Sequence, residues 1–334
     1  MISGGRATGS ARLKPGAAAA RPLRRPTAVR RVRVTARAKL NLGLAVGPRR
    51  PDGYHEIATV FQSISLADTL TLSRRRAGDR LEIRSENAAA RGRPIGDAVP
   101  SGPDNLALRA VRLFRERYPI RGGTLLSLVK RIPAGAGLGG GSADAAATLV
   151  GLARLHRVRV ARSSLLAMAV ELGSDVPFAC LGGTAIGLGR GERLRRVRLR
   201  RPFHAAVAVP GWRVSTARAY GRIDRGKYGL TLWNEKLGFV QALGRDGVTA
   251  LHASRMGNAF ENALGFRRTH FLSLCERLRA AGFTQPLLTG SGSAVFGVCR
   301  HVAALKVAMK RFQGHERLFA VRSVRQGMRV EVAS

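Results

Sequence analysis

Apolar residues recur along this chain at two spacings, and the switches between them outline its elements. Period-two alternation from Val34 to Val46 predicts a strand that sets Lys39 and Asn41 on one face, since side chains at i and i+2 point the same way. Those two polar groups on an otherwise apolar strand fit either a solvated edge or a site. Strands are predicted over Ala58 to Leu66, from Asp68 to Leu72 and over Thr124 to Val129. Helical spacing runs from Leu106 to Tyr118 behind an Asp104-Asn105 cap, and from Ser142 to about His156. A further helix, Leu165 to Glu171, is predicted to start on a Ser163 cap and to stop at Gly173. Asp175 follows, just before a Val-Pro step that does not continue a regular helix, where it either caps the next turn or serves a site. Past a glycine-rich strand region at 181–191 and a basic run at 195–201, the second half reads as a strand from Phe203 to Pro210 and mostly helix from Phe260 to Ala281. A strand from Leu287 to Cys299, interrupted at 290–293, a helix from Val302 to Phe312 and a strand from Leu318 to Val324 complete it.

Between the strand ending at Val129 and the helix leaving from Ser142 lies Pro133-Ala134-Gly135-Ala136-Gly137-Leu138-Gly139-Gly140-Gly141-Ser142. Glycines let a backbone take positive φ and approach a ligand closely, and the helix that follows offers free N–H groups to an anion. Gly135, Gly137 and Gly140 spell a dinucleotide-type fingerprint, but no acidic residue stands roughly 20 positions on; that region is Arg154-Leu155-His156-Arg157. No Gly-Lys-Ser/Thr closes a Walker loop. Two readings stay open: a glycine-rich turn with no ligand and, better supported by the proline, the five glycines and the serine before a helix, a nucleotide-phosphate loop of another type.

Composition alters this picture in one respect. The 334 residues carry a formal charge of +38, with ten Lys or Arg and no Asp or Glu before position 38. A basic module binding RNA would account for the charge, yet only 5% of residues are aromatic, and single-strand binders interleave stacking rings with their cations. The excess is spread over the whole chain, so specific nucleic-acid binding is not expected. Residues 1–31, rich in Gly, Ala, Pro and Arg, are expected to be a disordered basic extension. No run reaches the roughly 20 apolar residues of a membrane span. Cys180, Cys275 and Cys299 lack metal-ligand spacing and read as buried thiols of a reducing compartment, so the expected location is cytoplasmic.

Four stretches taken together resemble one family. The loop from Pro133 to Ala147 is similar to the phosphate loop of the GHMP small-molecule kinases. Ala38-Lys39-Leu40-Asn41-Leu42, Asp52-Gly53-Tyr54-His55-Glu56, Gly173-Ser174-Asp175-Val176-Pro177 and Leu288-Thr289-Gly290-Ser291-Gly292-Ser293 narrow the likeness. They point to the branch that phosphorylates the 2-hydroxyl of 4-diphosphocytidyl-2-C-methyl-D-erythritol in the non-mevalonate route to isoprenoids. The likeness spans about Val32 to Val324, and the Asp-Gly-Tyr-His element is its most specific part.

The resemblance implies an α/β fold of two domains: residues 32–198 like domain 2 of ribosomal protein S5, and 199–328 ferredoxin-like, with the active site between them. It implies ATP as co-substrate with Mg²⁺, whose protein ligands it leaves open. Lys39 and Asp175 take the catalytic positions, and the loop from Pro133 to Ser142 the ATP phosphates. Asn41, Tyr54, His55, Thr216 and Tyr220 match substrate positions, with His55 on the cytosine edge and the aromatic rings stacking on the base. Ala143 stands where members often carry a second serine, and Ala259 where an acidic residue is common. A small-molecule substrate and a monomer or homodimer are expected. The alternatives are a GHMP kinase for mevalonate, homoserine or a sugar, and an RNA-binding module on the S5-like fold.

Overall fold

The computed structural model describes residues 29–86, 99–226 and 233–333; most of the expected basic extension, and part of the polar connection before Leu106, lie outside them. The chain opens with β1 (Arg31–Arg49) and β2 (His55–Arg75), an antiparallel pair joined by a tight turn. β2 is one 21-residue strand, where two were predicted: Ser63 and Ala67 pair with Lys39 and Arg37 on either side of a register shift, and between them Ile64 bridges Ser323 instead of β1. Then come β3 (Arg80–Ser85), α1 (Leu106–Arg117), β4 (Gly123–Lys130), α2 (Gly140–Leu155), α3 (Arg162–Leu172), α4 (Val176–Leu181), β5 (Thr184–Leu188) and β6 (Arg193–Arg196). The order of the first sheet is β11-β1-β2-β4-β3, with β5 on β2 and β6 on β5; β11 (Met328–Ala333) is the chain's last strand and returns to pair with β1. No periodicity announced that return.

The intervening segment forms the second sheet. It runs β7 (His204–Val209), α5 (Thr216–Gly226), α6 (Trp233–Asp246), α7 (Ala250–Ser254), α8 (Arg267–Ala281), β8 (Thr284–Leu288), β9 (Val295–Cys299), α9 (Val302–Arg311) and β10 (Arg317–Arg322). Numbered within this unit, the antiparallel order β10-β7-β9-β8 is 4-1-3-2 with helices after the first and third strands, a ferredoxin-like arrangement. Together with the first sheet it makes the two-domain α/β fold expected.

Strand β1 links the two cores. Val32, Val34 and Ala36 pack with α1, α2 and α3, whereas Ala38, Leu40 and Leu42 pack with Val207 and Phe296 of the second sheet. The changeover falls at a register shift between Arg37 and Lys39, the kind of irregularity that bends a strand and re-aims its side chains. β11 pairs with β1 only over Arg31–Ala36; beyond it the glycine loop and the second sheet cover β1, so Lys39 and Asn41 do not face water as on an open edge, and they are 6% and 2% exposed. Two local predictions also need correcting. Helix α3 starts at Arg162 on Ala161, with no side-chain cap from Ser163, and Pro177 opens α4 instead of ending a helix, as proline can in a first turn. Burial pushes the thiols of Cys180 and Cys275 up to about 12, which leaves them inert packing groups.

Candidate active site

One cleft of about 380 Å³ opens between the two sheets, and its walls can be built residue by residue. The floor is the glycine loop. Gly135, Gly137 and Gly139 take φ values of 68°, 81° and 71°, so the loop turns left-handed at every second residue. The residues between them, Ala136 and Leu138, are buried and anchor it, as does Ile132. Backbone bonds hold it to both domains: Lys39 N–H donates to the Leu138 carbonyl at 3.0 Å and Ala294 N–H to the Ala136 carbonyl at 3.1 Å. A side chain at Gly137 would meet the Thr289 carbonyl oxygen at 2.2 Å. Helix α2 begins two residues earlier than its Ser142 start was read, with Gly139 as its cap, so the free N–H groups of its first turn belong to the loop itself.

Of the loop residues, Gly135, Gly137, Gly139 and Ser142 line the cleft; Pro133, Ala134, Ala136, Leu138, Gly140 and Gly141 do not. Pro133, Ala136, Leu138 and Gly140 are buried as the frame that holds the others. Beneath the loop Lys130 donates to Asp68 and, at 2.7 Å, to Asp144, and Asp68 accepts the backbone N–H of Ile132 at 2.9 Å. This closed cluster fixes the strand end from which the loop departs. Its members are far apart in sequence, and sequence reasoning missed it.

Lys39 rises from β1 against the loop. Its Nζ donates to Asn41 Oδ1 at 2.6 Å and lies 3.4 Å from Asp175 Oδ2. Asp175 sits at the cap position of α4 but makes no capping bond, so its carboxylate, about one-third exposed, is free to face Lys39 and the cleft. Asn41 also lines the cleft: its Oδ1 accepts from Gly290 N–H at 2.9 Å and one N–H of Nδ2 donates to Thr59 Oγ1 at 2.9 Å. It ties β1 to the turn between β8 and β9.

The far wall is aromatic. In the turn before β2, Arg50 N–H donates to the Tyr54 carbonyl, Asp52 accepts the Tyr54 N–H at 3.2 Å, and Gly53 takes φ 83°, which explains the Pro-Asp-Gly spelling. Tyr54 projects 53% exposed under the Arg190 guanidinium, 4.7 Å from its ring centroid. His55 stacks on Tyr220 of α5, with centroids 5.0 Å apart and planes at 17°, and its Nε2 lies 2.7 Å from Asp224 Oδ1. Phe260 meets the Tyr220 ring edge-on at 4.9 Å. Burial, with Asp175 nearby, pushes the Tyr220 phenol up to about 12, so the ring stays neutral. Thr216 opens α5 and shares a hydroxyl contact of 2.9 Å with Ser291.

Lys39, Asn41, Tyr54, His55, Asp175, Thr216 and Tyr220, chosen along 182 positions of sequence, thus line one cleft. Arg190, Ser291 and Asp224 were not singled out. Arg190 follows a glycine-rich strand without a pattern of its own, and Asp224 lies in α5, a helix the sequence reading did not delimit. Near Ala259 the missing acidic side chain has a neighbour, Glu261, which is two residues on and accepts the Leu288 N–H at 3.0 Å; burial pushes its carboxyl up to about 7.

A left-handed glycine loop at a helix N-terminus and an ammonium–carboxylate pair meet in a cleft between two α/β units, the architecture expected of a GHMP-type small-molecule kinase. Residues 105–183 match the family model for the GHMP kinases N terminal domain. The chain is 41% identical over 262 residues to the 4-diphosphocytidyl-2-C-methyl-D-erythritol kinase of Moorella thermoacetica, covering 78% of this chain and 87% of that one. It is 32% identical to the enzyme of that name from Bacillus subtilis, covering 88% and 97%. A crystal structure of 4-(cytidine 5'-diphospho)-2C-methyl-D-erythritol kinase superposes with a TM-score of 0.69 at 36% identity, covering 87% and 98%. Homoserine kinase from Cytophaga hutchinsonii, at 16% identity and a TM-score of 0.64, shares the fold. The chain belongs to the 4-diphosphocytidyl-2-C-methyl-D-erythritol kinase family.

Proposed function

We propose that this protein transfers the γ-phosphoryl group of ATP to the 2-hydroxyl of 4-diphosphocytidyl-2-C-methyl-D-erythritol, releasing ADP and the 2-phosphate. The observation that carries the reading is the meeting of the Lys39–Asp175 pair, the left-handed glycine loop and the Tyr54–His55–Tyr220 wall around one cleft.

In this reading the backbone of the glycine loop and the first turn of α2 hold the ATP phosphates. Tyr54, His55 and Tyr220 hold the cytidine end with Asn41 and Thr216 beside them, and Asn41 ties β1 to the Gly290 turn of the second domain. Asp175 orients the attacking hydroxyl. A carboxylate is a weak base beside an alkoxide, so the proton passes to it late, once the bond to phosphorus is forming in a loose transition state. Lys39, held by Asn41 on one side, stabilises the negative charge that moves onto the phosphate oxygens and the incoming oxygen.

Mg²⁺ belongs to this proposal as the ion carried by ATP. Among the described residues no cluster of three or more His, Cys, Asp or Glu forms a dedicated metal cage. Asp175, the one carboxylate among the described residues lining the cleft, and the Ser142 hydroxyl at the start of α2 suit an ion that keeps several waters and takes its other ligands from phosphate. Bound there it would neutralise phosphate charge. We assign the protein to the cytoplasm, where ATP is supplied; no helix of the described residues is long and apolar enough to cross a membrane.

The test is an assay of purified protein with MgATP and the cytidine substrate, run beside mevalonate and homoserine. Turnover of the cytidine substrate alone is expected. Turnover of mevalonate or homoserine in its place would sink the assignment.

A further inference from the structure

His55 is 7% exposed and its ring is covered on one face by Tyr220, so what it offers a ligand depends on where its proton sits. Asp224 and Tyr220 are four residues apart on α5 and share the helix face turned toward His55. The Asp224 carboxylate stands 2.7 Å from Nε2, and no other hydrogen bond to this ring is made among the described residues. A carboxylate can only accept, so Nε2 carries the proton; a neutral ring then keeps the Nδ1 lone pair as an acceptor.

We propose that Asp224 is a positioning residue that sets base specificity, by locking His55 in the Nε2–H tautomer so that Nδ1 accepts from the amino group of cytosine and opposes the carbonyl of uracil. The inference rests on the cleft being the cytidine site. Aspartate-to-histidine bonds that fix a tautomer serve metal ligands and catalytic bases in the same way. Without the carboxylate the ring exchanges tautomers, and an Nδ1–H donor suits the uracil carbonyl. A site built to hydrogen-bond one group rejects its analogue far better than an apolar pocket does, so the base preference is where the loss will register.

The experiment joins a spectroscopic and a kinetic readout on the full chain. Nitrogen-15 spectra of the free protein at neutral pH, with the His55 signals assigned by their loss in His55→Gln, are expected to show the proton on Nε2. In Asp224→Ala the Nδ1–H form should appear. The ratio of kcat/KM for the cytidine substrate over its uridine analogue should then fall roughly tenfold or more, carried by KM more than by kcat, and Asp224→Glu should restore part of it. An Nδ1–H tautomer or an imidazolium in the wild-type protein would overturn the proposal. So would an Asp224→Ala protein with an unchanged ratio and an unchanged tautomer. If the wild type does not turn over the cytidine substrate, the functional reading fails and takes the base assignment with it; if it does, a negative Asp224 result counts against this inference alone.

Discussion

Two buried lysines stand on either side of the glycine loop, and each faces aspartate, yet they are built for different work. Lys130 is enclosed: its ammonium bonds Asp68 and Asp144, all three groups are buried, and Asp68 spends its other oxygen on the backbone at the loop's start. Lys39 is closed on one side only. Asn41 holds it at 2.6 Å, while Asp175 stands back at 3.4 Å with about a third of its side chain open to the cleft. A closed cluster stabilises one backbone geometry, and an open pair keeps charge available for a ligand. The loop lies between the two, bonded to Lys39 and Ala294 through its backbone and anchored at its start by Asp68.

The difference can be broken from either side. Removing the open carboxylate should leave the fold and abolish the chemistry: Asp175→Asn is expected to lower kcat about 10²- to 10⁴-fold with an unchanged melting temperature. Removing the enclosed ammonium should do the reverse. Lys130→Met leaves two buried carboxyl groups facing each other and is expected to cost about 3–5 kcal/mol in denaturant unfolding. Gly137→Ala probes the loop between them. A left-handed alanine costs about 1–2 kcal/mol, and its Cβ would collide with the Thr289 carbonyl, so a raised KM for ATP should accompany a modest loss of stability.

The smallest effect is the most diagnostic of enclosure. Burial pushes the Asp144 carboxyl up to about 8 from an ordinary 3.8, against the opposing pull of Lys130. The unfolded chain releases this proton near pH 4 and the folded one retains it to about 8, so this group's contribution to stability falls as pH rises across that window. Glu261 contributes with the same sign between about 4.5 and 7. Asp144→Asn is isosteric with the neutral acid; it should cost about 1 kcal/mol at neutral pH and flatten the slope of stability against pH.

What could be read in advance followed distance along the chain. The phosphate loop, the shared face of Lys39 and Asn41 and the Asp52-Gly53-Tyr54 turn are local, governed by i to i+2 geometry and left-handed glycine. Asp175 is ambiguous between cap and site in the sequence; the Lys39 contact, made across 136 positions, and the absence of a side-chain cap bond favour the site. Tertiary pairing also hid the Lys130 cluster, the return of β11 to β1 and the bonds of Asn41 to Gly290 and Thr59. Asp224 escaped for a further reason. The role proposed for it comes from the ring it touches, and an aspartate on an exposed helix face has no signature of that kind.

The central claim is that Lys39 and Asp175 work as one unit in an open cleft, and a double-mutant cycle on kcat tests it most directly. Lys39→Met, Asp175→Asn and the double variant would be assayed with the cytidine substrate and MgATP, each shown to melt as the wild type does. The account predicts that the double variant is about as slow as the slower single one, because residues acting together lose their effect together. Losses that multiply, or full turnover by either single variant, would contradict it.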